Sequence, residues 1–205
     1  NGFKQVQMNS IYISIVLISL CFSQFASSYT LSDTLPKDMP LSKKMVWGEN
    51  GLARKLNLAP ENRVDELKLR HKMLQTHQKL GLLTLGMMGY QVYLGNNMNS
   101  QKDKALHRKL GYSTFGVYMT AAGFSVLSPP ALRYNKGGSS IKLHRYLSYI
   151  HFAGMLCMPY LGYLSAGNMD THTAEYHTKA LKAHEIVGSI TFASLSLSFL
   201  TTLLP

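Results

Sequence analysis

The feature that most constrains this chain is the gathering of its apolar residues into four runs, about 79–96, 109–128, 146–167 and 184–204. A helix needs about 20 residues to cross a hydrocarbon core, and each run approaches or reaches that length. None is a plain Leu stretch. Gly, Ser, Thr and Tyr recur in all of them, and small residues let helix backbones approach one another closely. The connections "NNMNSQKDKA" and "NMDTHTAEYHTKA" are short and polar, which favours antiparallel neighbours. The expected fold class is therefore all-α: a transmembrane antiparallel four-helix bundle, multi-pass, with the lipid bilayer as its first partner. A mean hydropathy of -0.02 conceals this, because the charges crowd into residues 37–79 and a few short segments.

Three regions follow. Residues 1–28 contain "IYISIVLISLCF" followed by small residues, the pattern of either a signal peptide or an additional span. Residues 29–72 read as a polar linker and a charged helical stalk. In "PENRVDELKLRHKMLQTHQKLG", Pro60 suits a first helical position, acids precede bases, and Glu66 stands four residues before Arg70. Residues 73–205 form the four-helix membrane domain, and the prolines of "SPPALRYNKGGSSIK" close its second span.

The net charge of +11 would point a soluble chain toward nucleic acid. Here it concerns orientation, and no nucleic-acid partner is expected. Most of the basic residues lie in 37–79 and 133–145, which places those segments on the cytoplasmic side or its equivalent. A cleaved signal peptide would place residues 37–79 on the other side, whereas a retained first span would reconcile the two cues. Cys21 and Cys157 lie in apolar runs, and the chain has no C-x-x-C-H for covalent haem attachment.

The chemistry lies in a fourfold frame. "THQKLGLLT", "LHRKLGYST", "LHRYLSYIH" and "AHEIVGSIT" place His77, His107, His144 and His184 at the entrance of successive runs. Four residues on come Gly81, Gly111, Ser148 and Gly188, and seven residues on come Thr84, Thr114, His151 and Thr191. On a helix these positions share one face. Each span presents an imidazole with a gap beneath it, which suits a large flat ligand held through the histidine, such as a porphyrin.

Because successive spans reverse direction, His77 and His144 belong to one membrane face and His107 and His184 to the other. Two axial imidazoles per iron would hold two haem b groups, one near each face. A lone histidine at a helix mouth is ordinarily an interfacial residue; it is the recurrence, with Gly or Ser beneath, that favours ligation. Zinc would need ligands converging at one level. His151, two turns below His144 on the same face, is the alternative ligand there. His71, His172 and His177 lie in polar segments.

With these residues in place, the chain resembles the cytochrome b561 superfamily over roughly residues 70–205. "LHRKLGYSTFGVYMTAAGFSVLSPP" is its most family-like segment. The resemblance implies two b-type haems held by the first with the third and the second with the fourth core helix, here His77 with His144 and His107 with His184. It also implies transmembrane electron transfer, as a reductase or as a pure carrier, between a donor and an acceptor that it leaves unidentified. Homodimerisation or membership of a larger membrane complex fits the same reading. The family's outer helices and substrate-binding motifs have no convincing counterpart. A second reading from another class is an accessory subunit that holds pigment through single histidines and has no turnover of its own.

Overall fold

A computed structural model describes residues 35–134, 140–166 and 173–203. The 1–28 segment and His172 lie outside the described residues. The chain is all-α. Its helices are α1 (Leu41–Trp47), α2 (Leu52–Lys55), α3 (Arg63–Asn96), α4 (Gln101–Leu127), α5 (Ser140–Ser165) and α6 (Ala174–Thr201). Among the described residues, α6 alone is both long and apolar enough to cross a membrane.

Helix starts follow local chemistry. Asn62 rather than Pro60 opens α3, its side chain accepting from Asp65 N–H at 2.9 Å. Ser100 and Asp103 form a reciprocal capping box on α4, and Thr173 caps α6. Each such cap satisfies an otherwise unpaired first-turn donor and stabilises its helix by about 1 kcal/mol.

The four long helices pack in chain order around a ring: α3 on α4, α4 on α5, α5 on α6 and α6 on α3. Neighbours run antiparallel, because residues at the start of one helix meet the end of the next, as in His77 with Ala121 and His144 with Ser198. Helices α3 and α5 are thus diagonal, as are α4 and α6. One large residue from each helix fills the centre: Met88, Tyr118, Met155 and Leu195. Above and below it the interior is lined by hydroxyls. Thr84, Thr114 and Thr191 are buried and donate to the carbonyl four residues back, which lets them lie in the interior without orphaned polar atoms.

The expected linker is instead partly helical, and it closes one end of the bundle. Pro129 and Pro130 cannot continue α4, so its last carbonyls need other donors. Lys43 Nζ donates to the carbonyls of Ser125, Val126 and Ser128, and Trp47 Nε1 donates to Leu127 O at 2.9 Å. Arg70 takes Pro129 O, and Arg63 takes Pro130 O and Ala131 O. Every carbonyl from Ser125 to Ala131 is thereby bonded by a side chain from the segment before the first long run.

Glu66 does not pair with Arg70. It is 1% exposed and lies between Arg54 at 2.5 Å and Arg63 at 2.6 Å. Removing a buried counter-ion strands the remaining charge at a cost of about 3–5 kcal/mol. Glu66→Ala should therefore release this cap, read as red-shifted and more quenchable emission from Trp47, the chain's one tryptophan. Emission unchanged from that of the parent would show that the cap is held without Glu66.

Candidate cofactor site: two histidine pairs

The ring of helices brings the four frame histidines together in two diagonal pairs. The His77 and His144 ring centroids are 6.3 Å apart, with planes at 88°. The His107 and His184 centroids are 6.2 Å apart, with planes at 66°. At 1.5 Å rise per residue the two levels are separated by roughly 20–25 Å, which sets one pair toward each end of the bundle.

The common separation has a chemical meaning. An imidazole nitrogen ligates a first-row metal ion at about 2.0–2.1 Å, and the ring centroid lies roughly 1.1 Å further back. Two imidazoles on opposite sides of one ion would therefore hold their centroids roughly 6.3 Å apart. The two centroid separations are close to that value.

Their nitrogens are arranged unequally. His77 Nδ1 donates to Ala121 O at 2.9 Å, and His144 Nδ1 lies 2.9 Å from both the carbonyl and the hydroxyl oxygen of Ser198. A carbonyl can only accept, so His77 Nδ1 carries the proton and its Nε2 keeps a bare lone pair; at His144 the nearby Ser198 carbonyl favours the same tautomer, with the Ser198 hydroxyl as a second partner. This is the outer-shell arrangement that orients a ligating histidine. At the other level, the Nδ1 atoms of His107 and His184 are buried with no hydrogen-bond partner among the described residues. Their Cε1 atoms lie 3.5 Å and 3.4 Å from where a Cβ on Gly95 or Gly162 would stand. Buried polar atoms left unpaired cost about 1–3 kcal/mol each.

The small residues of the frame behave differently from one another. A Cβ at Gly81 would meet nothing within 4 Å, so Gly81 is uncrowded. The expected gap is absent at Gly111 and Gly188: a Cβ there would stand 3.1 Å from Gln91 Nε2 and 3.2 Å from Met158 Cε. Glycine at those two positions makes room for long, flexible side chains from the neighbouring helix. Ser148 turns its hydroxyl back to Arg145 O at 2.7 Å. His151, the alternative ligand, is 7% exposed, and its Nδ1 lies 2.7 Å from Tyr118 Oη. It is His144 that faces His77.

A pseudo-twofold axis relates the α3–α4 hairpin to the α5–α6 hairpin, and the contacts repeat under it. His77 on Ala121 becomes His144 on Ser198. Gly95 against His107 becomes Gly162 against His184, and Gly111 against Gln91 becomes Gly188 against Met158. Met88 corresponds to Met155, and Thr114 to Thr191. The acceptors Ala121 and Ser198 and the cradling Gly95 and Gly162 were not legible from the histidine frame. A signal for part of them exists in the repeats "YLG" at 93–95 and 160–162 and "TF" at 114–115 and 191–192.

The fold and this geometry define a class: an all-helical bundle with paired imidazoles at two levels. No known protein family, curated protein or solved structure matches the chain.

Proposed function

We propose that the chain is a membrane b-type dihaem cytochrome of the kind the b561 resemblance implies, spanning the bilayer with its four long helices and passing electrons between its two faces. The single observation that carries the reading is the equal separation of two diagonal histidine pairs, 6.3 Å and 6.2 Å, at opposite ends of one bundle. Haem b supplies reversible one-electron ferric/ferrous chemistry. The chain's own residues do the rest. His77 with His144 and His107 with His184 would hold the two irons, Ala121 O and Ser198 O fix the first pair as Nε2 ligands, and the closed interior excludes competing axial ligands.

The surface supports the bilayer. Leu83, Ile150, Leu156, Ile186, Ile190 and Leu197 are all exposed on the long helices, a poor match to water. Exposed tyrosines gather toward the His107–His184 end (Tyr90, Tyr93, Tyr112, Tyr160, Tyr163 and Tyr176), and Tyr146 and Tyr149 stand at the other. Tyr146 and Tyr163 of α5 are about 25 Å apart along the axis. Aromatic belts spaced at nearly the thickness of the hydrocarbon core are what a bilayer selects.

The test is an absorption spectrum and haem assay of protein purified with adequate haem supply. The expected result is a reversible low-spin b-type spectrum with two haems per chain. A colourless protein would overturn the reading, and a chlorin in the pigment extract would favour the pigment-holding subunit instead.

A further inference from the structure

The two halves of the bundle repeat their histidines, several of their small residues and two of their threonine and methionine positions, and one pair of differences between them meets at the centre. Where α4 has Tyr118, α6 has Leu195; where α5 has His151, α3 has Thr84. The two substitutions touch each other. Tyr118 and His151 are 5% and 7% exposed, their rings are 5.6 Å apart, and Oη lies 2.7 Å from Nδ1. Their twofold mates Thr84 and Leu195 offer no such pair. These two differences act in concert, and together they place a buried polar dyad at the centre of the molecule.

Chemistry assigns the proton. A phenol is the better donor and an imidazole nitrogen the better acceptor, so Tyr118 O–H donates to His151 Nδ1 and the imidazole proton sits on Nε2. That Nε2 is buried with no partner among the described residues. A helical side chain leans toward the N-terminus of its helix, so His151 leans toward the His144 end of α5. Ala121, the level of His77, lies one turn from Tyr118 on the same side. The dyad therefore belongs to the His77–His144 half; the His107–His184 half has Gln91 instead, whose Nε2 donates to His107 O at 2.9 Å and whose buried Oε1 is an acceptor and not a donor.

Resting on the haem reading above, we infer that Tyr118 and His151 are tuning residues that make the two haem sites unequal, holding the His77–His144 site at the higher reduction potential. The physical cause is the unpaired Nε2–H, whose positive end favours the added electron in a medium of low dielectric. Tyr118 acts through His151, by fixing the tautomer that points the N–H rather than the lone pair at the site. The consequence is a direction: in the half-reduced protein the electron rests near the capped end of the bundle.

The experiment is a reductive titration with dithionite and mediators, followed optically, on the full-length haem-loaded protein. The parent should titrate in two waves. In the double variant Tyr118→Leu/His151→Thr, which installs the residues of the other half, both haems and the low-spin spectrum should remain. The upper wave should fall toward the lower by about tenfold in electron partition, or about 59 mV. Tyr118→Phe, which removes only the hydroxyl, should move the same wave in the same direction, and His151→Gln, which keeps a donor, should preserve the separation. These single variants decide the matter if the double variant does not fold. Two retained haems with an unchanged separation would overturn this inference alone, as would a parent that titrates in one wave. A parent without haem would overturn the haem reading as well.

Discussion

Replacing His77 with Ala should leave a protein that carries half the haem of the parent, with the remaining haem still low-spin and held by His107 and His184. The same loss is expected of His144→Ala, because the two imidazoles face each other at 6.3 Å and neither completes the site alone. His107→Ala and His184→Ala should remove the other haem, their partners being each other at 6.2 Å. His151→Ala should keep both haems, since its ring is bonded to Tyr118. Gly81→Leu is the sharper companion. It leaves His77 in place and adds bulk one turn on, where a Cβ meets nothing within 4 Å, so loss of the His77–His144 haem would show that room at Gly81, and not just the nitrogen, makes the site. A pyridine assay of the purified variants reads all six results. Equal loss of both haems from any single histidine variant would contradict the separation of the two sites.

The second large effect is steric and independent of any cofactor. Gly154 lies where α5 meets α6, and a Cβ there would drive into Thr191 Oγ1 and stand only 3.1 Å from Thr191 Cβ. Both atoms sit close to helix backbone, so the clash cannot be relieved by swinging a long side chain away. Overpacking of this kind costs about 1–3 kcal/mol and sometimes more, so Gly154→Ala should unfold at markedly lower temperature than the parent. Thr191→Ala should restore part of the loss in the double variant, because it removes the obstructing hydroxyl. Gly116→Ala is the control. A Cβ there meets nothing within 4 Å, and removing a mid-helix glycine should be neutral or stabilising by about 0.5–1 kcal/mol. Equal thermal stability of Gly154→Ala and Gly116→Ala would show that the α5–α6 approach is looser than described.

Much of the architecture is legible in the sequence because it is written in local periodicity. Each apolar run lies along one of the four long helices apart from its last few residues, and the histidine frame repeats at helical spacing, so the entrance of every apolar run could be marked without knowing any partner. Short polar loops then imply antiparallel neighbours, and alternation alone sorts the histidines onto two levels. The stalk was less legible. Its Pro60 and its Glu66–Arg70 spacing suggested a helix stabilised along its own length. In the fold Asn62 starts that helix, and Glu66 and Arg70 are both directed elsewhere. The reason is that "LSPPA" creates a row of carbonyls whose need for donors is visible only once the end of α4 lies against Lys43, Trp47, Arg63 and Arg70.

The sequence by itself determined which residues could serve as ligands and at which end of the bundle each would stand, since helical periodicity and chain reversal require nothing beyond neighbours in the chain. Tertiary structure alone decided how those histidines are held. The acceptors for His77 and His144 are backbone carbonyls of Ala121 and Ser198, and a carbonyl has no signature in a sequence because every residue has one. The same is true of the room at Gly81, the crowding at Gly111, Gly188 and Gly154, and the meeting of Tyr118 with His151. Each is a relation between two helices, set by how closely and at what height their backbones pass, and only the packed bundle fixes that.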